Sequence, residues 1–306
     1  MLLLQQMVVL FILMGIGFLC YKLQIITAES SKKLSAIVVN IANPAMVLKG
    51  SMGEDRIEGR ELLITVILVA AVYTVLVILS VILPRLLRVE KKSRGTYQAM
   101  TIFSNIGFMG YPVVEALYGS SAVLYAALFN IPYNILIYTV GVSAMSAEGS
   151  TDWKESFSVK RILNVGVIAC IITIIIYLVK IPIPGFIKVT ITHLGNLTAP
   201  LSMMVIGASL ASIDIKKLFT DIKLLLFSAI KLLVIPILGV TIIRQFVDID
   251  IILGVCMVML ATPVGSMTAM LAQQYDGDYE MASKGVALTT ILSVATMPVV
   301  SMITKL

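Results

Sequence analysis

The sequence predicts an all-α integral membrane protein with ten transmembrane helices, arranged as two inverted five-helix repeats in which helices four and nine are broken. Three observations carry that expectation. First, of 306 residues 59% are apolar and 13% are charged, with a mean hydropathy of +1.01. A soluble domain is about 45–50% apolar and about 25% charged, because its surface needs polar groups. Second, charges and turn residues divide the chain into ten apolar stretches of helical length, near the roughly 20 residues a span requires. Third, Gly/Pro clusters interrupt the fourth and ninth stretches. The composition excludes soluble enzymes, nucleic-acid binders and disulfide scaffolds.

The stretches are 1–21, 32–49, 61–83, 96–118, 121–146, 160–179, 189–211, 217–243, 249–273 and 281–304. None alternates as a strand would, so a β-barrel is not expected. The first has no basic leader and no small-residue cleavage site, and Leu19 before Cys20 is too bulky for lipoprotein processing; it reads as a retained span. Cys20, Cys170 and Cys256 each lie in an apolar run without disulfide or metal spacing, and read as packing residues. Residues 1–147 form the first repeat, 148–159 a short cytoplasmic linker carrying the single tryptophan, Trp153, and 160–306 the second repeat. Trp153 is expected at an interface.

Lys and Arg set the orientation. Fifteen fall in odd-numbered loops and seven in even loops and the C-terminus, which places odd loops in the cytoplasm and both termini outside. The remaining one, Lys231, is inside a span. The net charge of +6 is thus a topology record with some contact to anionic lipid, rather than a nucleic-acid signal. With five spans in each half, the halves run in opposite directions, so an internal repeat must be inverted. Pro44 and Pro200 are 156 residues apart, and Pro112 and Pro263 are 151 apart, which is the trace of such a repeat.

Stretch four reads Thr101-Ile-Phe-Ser-Asn105-Ile-Gly107-Phe-Met-Gly110-Tyr111-Pro112. Two glycines and a proline would cost an intact helix several kcal/mol, so unwinding is expected over Gly107 to Pro112. Pro112 then suits the first turn of a second half-helix. Stretch nine repeats this with Thr262-Pro263-Val-Gly265-Ser266. Backbone freed in hydrocarbon must be satisfied internally or line a watery cavity. Discontinuous helices in matching positions of inverted halves point to a transporter substrate site, and their N-termini favour an anion, commonly a carboxylate. Asn105, Tyr111, Thr262 and Ser266 are the expected side-chain ligands, with Asn43 beside Pro44 drawn toward the same place. A simple proline kink that shapes packing is the alternative.

Ionisable groups inside spans are functional candidates. Lys231 could supply a counter-charge to an anion, or snorkel or line a packed polar cavity. Glu115, one turn beyond Pro112, could carry a coupling proton or serve a hydrated structural role. His193, the single histidine, reads as an interface residue or a proton relay. Asn40, Asn130, Asn134, Asn164 and Asn196 read as helix–helix glue. Met203, Met204, Met267 and Met270 cluster near the prolines as adaptable packing. No phosphate-binding loop, catalytic Ser/His/Asp set or metal-ligand cluster is present in the sequence. No cofactor is expected beyond a coupling H+ or Na+, and ATP-driven transport would need a partner chain.

Four sets of residues resemble the auxin efflux carrier family along the whole chain: Ser104-Asn105-Ile-Gly107-Phe-Met-Gly110-Tyr111-Pro112, Phe129-Asn130-Ile-Pro-Tyr133-Asn134, Ala261-Thr262-Pro263 with Leu271-Ala272-Gln273-Gln274-Tyr275, and Thr289-Thr290-Ile-Leu-Ser293 through Pro298. Lys160-Arg161-Ile-Leu-Asn164-Val departs from the family's usual Asn-Pro at the start of span six. The resemblance implies a fold similar to bile acid:sodium symporters. It implies a scaffold of spans one, two, six and seven, often homodimeric, and a transport domain of spans three to five and eight to ten. The broken helices then cross in the transport domain beside the substrate, with Asn105, Pro112 and Pro263 at the crossing, and transport proceeds by an elevator motion. Compact relatives of this kind look prokaryotic and include permeases for malate or other dicarboxylates; plant members carry the auxin anion.

Taken together, these features predict a multi-pass plasma-membrane carrier of a small organic anion such as malate, another dicarboxylate or an auxin-like carboxylate. The alternatives are an anion channel or membrane sensor with the same fold. An intramembrane enzyme would need a catalytic constellation that the scarce acids and lone histidine do not provide.

Overall fold

The chain is described over residues 2–52, 59–146, 163–179, 181–212 and 218–306 in a computed structural model. The linker 148–159 with Trp153 lies outside these residues, as do Arg56, Lys154, Lys160, Arg161, Lys180, Lys216 and Lys217 from the charge count.

Every apolar stretch is helical. The first is α1 (Leu2–Lys22). The second is α2 (Ala28–Ile37), a π-helical turn (Val38–Ala42) and α3 (Asn43–Gly50). The third is α4 (Gly59–Leu86). The fourth is divided into α5 (Arg94–Ile102), a π-helical turn (Ile106–Gly110) and α6 (Tyr111–Tyr118). The fifth is α7 (Ala122–Leu136), a π-helical turn (Ile137–Gly141) and α8 (Val142–Ser146). In the second half come α9 (Val165–Val179), α10 (Gly185–Asn196) and α11 (Thr198–Ala211). They are followed by α12 (Ile222–Ala229), a π-helical turn (Ile230–Val234) and α13 (Ile235–Ile243). The last are α14 (Asp250–Ala261), α15 (Ser266–Gln274) and α16 (Tyr279–Thr304). Among the described residues there is no strand, only an isolated antiparallel bridge between Ser104 and Val264.

Among the described residues, five helical stretches are long and apolar enough to cross a membrane: Gly59–Leu86, Ala122–Ser146, Gly185–Ala211, Ile222–Ile243 and Tyr279–Thr304. Their outward faces are apolar. On α4, Leu63, Ile67, Val75 and Ile78 are each more than half exposed, and Ile168, Ile175 and Leu178 stand out from α9. Such a surface suits lipid and not water.

Three prolines share one local device. Pro44, Pro112 and Pro236 are each the second residue of a helix that follows a π-helical turn. In each case the residue before the proline donates its N–H five residues back: Asn43 to Val38, Tyr111 to Ile106 and Ile235 to Ile230. Proline has no N–H and its ring crowds the carbonyl one turn earlier. A turn widened by one residue moves that carbonyl aside, so the helix passes the proline without breaking. This displaces the break in stretch four. Gly107 to Pro112 stays helical as a wide turn, and the extended backbone lies upstream at Phe103 to Asn105.

Close packing through glycine joins α1 to α11. A Cβ on Gly207 would stand 1.9 Å from the Met14 carbonyl oxygen, and one on Gly17 would stand 2.2 Å from that of Met204. Small residues at both positions let the two backbones touch. Helix α11 packs along α1 and α2, and α3 packs on α9 and α10; α9 and α3 also pack on α7, while α4–α8 pack with α12–α16 around the two broken stretches.

Candidate functional site

Two extended segments meet in the middle of this helical protein. Helix α5 ends at Ile102 and α14 ends at Ala261, each running into backbone of extended geometry. Asn105 donates its N–H to the Pro263 carbonyl at 2.7 Å, and Gly265 donates to the Phe103 carbonyl at 2.8 Å. Each break thus supplies partners for the other, which is what backbone away from water demands. The Val264 N–H goes to Thr289 Oγ1 of α16 at 3.0 Å. Room for this pairing depends on Gly265, where a Cβ would be 3.0 Å from the Ser104 carbonyl oxygen and 3.2 Å from the Tyr133 hydroxyl. The Phe103 ring meets Tyr133 edge-on, with centroids 5.4 Å apart.

Asn105 is the pivot of the site. It is buried, and its Oδ1 accepts from the Phe108 N–H at 3.3 Å, capping the second half of stretch four. Its Nδ2 is a buried donor without a partner. Asn43, also buried, has an unpartnered Oδ1, and its amide nitrogen stands 3.1 Å from the place a Cβ on Gly107 would take. Both side-chain amides therefore border the turn between Asn105 and Phe108. Orphaned buried polar atoms are costly, and a ligand that satisfies them is the usual reason for keeping them. The half-turn rotation of an asparagine amide exchanges acceptor for donor, so both residues can present N–H groups to an anion.

The other expected ligands are placed unevenly. Pro263 lies in the crossing through its carbonyl, and Pro112 in the first turn of α6. Ser266 is half-buried at the start of α15. The Thr262 hydroxyl is turned back onto the Met259 carbonyl at 2.9 Å, leaving only its lone pairs for other partners. The Tyr111 hydroxyl is buried without a hydrogen-bond partner. Glu115 is away from the crossing: its Oε1 is 2.5 Å from Lys49 Nζ, which also donates to Asn196 Oδ1 at 2.8 Å. His193 is exposed on α10.

Lys231 reaches the crossing from the π-helical turn between α12 and α13. It is fully buried, and its Nζ donates to the Thr101 carbonyl at 3.1 Å and to Ser104 Oγ at 2.7 Å. The asparagines of stretch five are interhelical contacts. Asn130 Nδ2 donates to Cys170 Sγ of α9 at 3.7 Å, and Asn164 Nδ2 donates to Asn134 Oδ1 at 2.5 Å, joining α7 to α9, while Asn134 Nδ2 donates to Asn130 Oδ1 at 2.8 Å within α7. Asn40, exposed, bonds back to the Ala36 carbonyl within its own helix.

Ser104, Thr101 and Thr289 were not singled out by the sequence reading as site residues. Ser104 has the signal of adjacency to Asn105. Thr289 lies in the family-like Thr289-Thr290 set, but its role, to accept from a residue 25 positions away, leaves no local trace.

A helical protein with lipid-suited faces, two helices broken at one buried crossing and orphaned amides there is a multi-pass membrane transporter. The chain belongs to the membrane transport protein family, the auxin efflux carrier family, whose profile matches residues 2–301. It is similar to an uncharacterized transporter of Methanothermobacter thermautotrophicus, 20% identical over 95% of each chain. A second uncharacterized transporter, from Methanocaldococcus jannaschii, is 22% identical over 93% of each chain. A protein of Rhizobium meliloti named "Putative malonate transporter" is 25% identical over 93% of this chain and 90% of its own length.

Proposed function

We propose that the protein is a secondary carrier of a small carboxylate anion across the cell membrane, working by alternating access of the elevator type. The observation that carries this reading is the buried Asn105 amide nitrogen, a donor without a partner on the cap of a half-helix at the crossing. Helix starts and free N–H groups at one buried point favour negative charge, and a carboxylate accepts from several donors at once. The name of the Rhizobium meliloti relative favours a dicarboxylate such as malonate or malate within that class.

In this reading the ten helical stretches all span the bilayer, as two inverted five-helix repeats, 1–147 and 160–306, joined by the cytoplasmic linker 148–159, with both termini outside. Stretches one, two, six and seven make a scaffold that dimerises, and the remaining six carry the crossing as one body. The packing of α11 on α1 and α2, of α3 on α9 and α10, and of α4–α8 with α12–α16 supports that division, with α7 meeting α3 and α9 at its boundary. Asn43 then meets the substrate from the scaffold side, and Asn105, Tyr111, Pro112, Thr262, Pro263 and Ser266 belong to the moving body. Glu115 acts in that body as a contact to Lys49 rather than as a ligand.

Uptake of radiolabelled malonate and malate into proteoliposomes tests the reading. A carrier gives saturable uptake that is accelerated by the same anion preloaded on the other side. Flux that rises linearly with concentration and shows no counterflow is the behaviour of a channel and would overturn it.

A further inference from the structure

The break in stretch four leaves the Thr101 carbonyl without its helical partner. In an uninterrupted helix the Thr101 carbonyl would accept from the Asn105 N–H, four residues on. That N–H is turned to Pro263 instead. The Thr101 oxygen sits in the last turn of α5, the negative end of a helix dipole. Next to it is the Ser104 hydroxyl. Two neutral, hard oxygens at the negative end of a buried helix are the donor chemistry of a small monovalent cation. Here a cation is already there, because the Lys231 ammonium donates to both oxygens from a fully buried position.

Lys231 is held in place by its own element. It belongs to the π-helical turn Ile230–Val234 that precedes Pro236, so the wide turn fixes where its stem departs. The Lys231 side chain is among the largest in the protein that are completely enclosed. Its two hydrogen-bond partners are uncharged oxygens.

We propose that Lys231 is a tethered cation: its ammonium fills a monovalent-cation site made by Thr101 and Ser104, so that the crossing holds together without free sodium. The proposal deepens the carrier reading by removing sodium from the candidate coupling ions at this site. Shortening the side chain opens the site. The Thr101 and Ser104 oxygens then lie bare in a cavity of lysine size, which a hydrated or partly dehydrated sodium ion fills.

Thermal unfolding of the detergent-solubilised protein in sodium chloride and in choline chloride at matched ionic strength tests this without any substrate, so failure of the carrier reading would appear in the uptake assay and not here. The parent protein is expected to melt at the same temperature in both salts. Lys231→Ala is expected to melt lower than the parent in choline and to recover in sodium, by about 3 °C at tenfold saturation. If the alanine variant does not fold, Lys231→Ser, which adds a third oxygen to the empty site, takes its place. A sodium-specific stabilisation of the parent, or folded variants that melt alike in sodium and choline, would overturn the proposal.

Discussion

Lys49 of α3 and Glu115 of α6 form an ion pair, Nζ to Oε1 2.5 Å, to which Asn196 at the end of α10 adds its side-chain oxygen at 2.8 Å. The two charged side chains are each about one-fifth exposed, 20% and 21%. Three helices from three stretches of sequence are tied at this point, two of them outside the group that carries the crossing.

Breaking the tie is expected to loosen the protein modestly. For a partly exposed pair the coupling is about 1 kcal/mol, read from a double-mutant cycle of Lys49→Met and Glu115→Gln by thermal unfolding. In the elevator reading the same pair must part during each cycle. Glu115→Gln is then expected to change the rate of counterflow with little change in the concentration that half-saturates it. An unchanged rate in a folded variant would remove the pair from the transport cycle.

Asn105→Asp separates the two tasks of Asn105. The carboxylate keeps an acceptor for the Phe108 N–H, so the cap remains. It loses the orphaned donor and adds a negative charge where an anion is to bind. Specific uptake should fall at least about tenfold, a loss of about 1.4 kcal/mol, while the melting temperature stays near that of the parent. Asn105→Ala should lose both uptake and about 1 kcal/mol of stability, because the cap goes as well.

Thr289→Val should destabilise through one backbone group. The Val264 N–H is buried and its acceptor is Thr289 Oγ1. Leaving it unpaired costs about 1–3 kcal/mol, and Thr289→Ser should restore most of that. Melting curves of the two variants, measured side by side, decide the point.

Gly207→Ala tests the contact between α1 and α11. The added Cβ would stand 1.9 Å from the Met14 carbonyl and 2.8 Å from the Phe18 amide nitrogen, both backbone atoms that no side-chain rotation can move. The helices must separate, at a cost of about 1–3 kcal/mol or more. Gly15→Ala on the same helix α1, where a Cβ meets nothing within 4 Å, is the matched control and should be nearly silent.

The positions of the helices were legible because apolar runs and charged interruptions are local properties of the chain. The break at Thr262–Pro263 was legible for the same reason, since the proline and Gly265 stand where the helix stops. The break at Phe103–Asn105 was not. Its residues carry no breaking signal of their own, and what holds them extended is pairing with a segment more than 150 residues away. The visible signal nearby, Gly107 to Pro112, is absorbed by a wide turn. Lys231 stood out as a charge in an apolar run, but nothing local says that it ends at the Thr101 carbonyl. Lys49 was counted among loop charges, because its partner Glu115, 66 positions on, leaves no periodic trace.

The mutual pairing of the two extended segments also sets an order of events during biosynthesis. The ribosome delivers Phe103–Asn105 about 160 residues before it delivers Thr262–Gly265. Throughout that interval the first segment has no backbone partner from the second, and in the carrier reading, which puts the crossing within the bilayer, hydrocarbon offers no substitute. The N-terminal half therefore cannot reach its final form in the bilayer on its own. It has to wait, sheltered by water or by the insertion machinery, until the C-terminal half emerges to complete it.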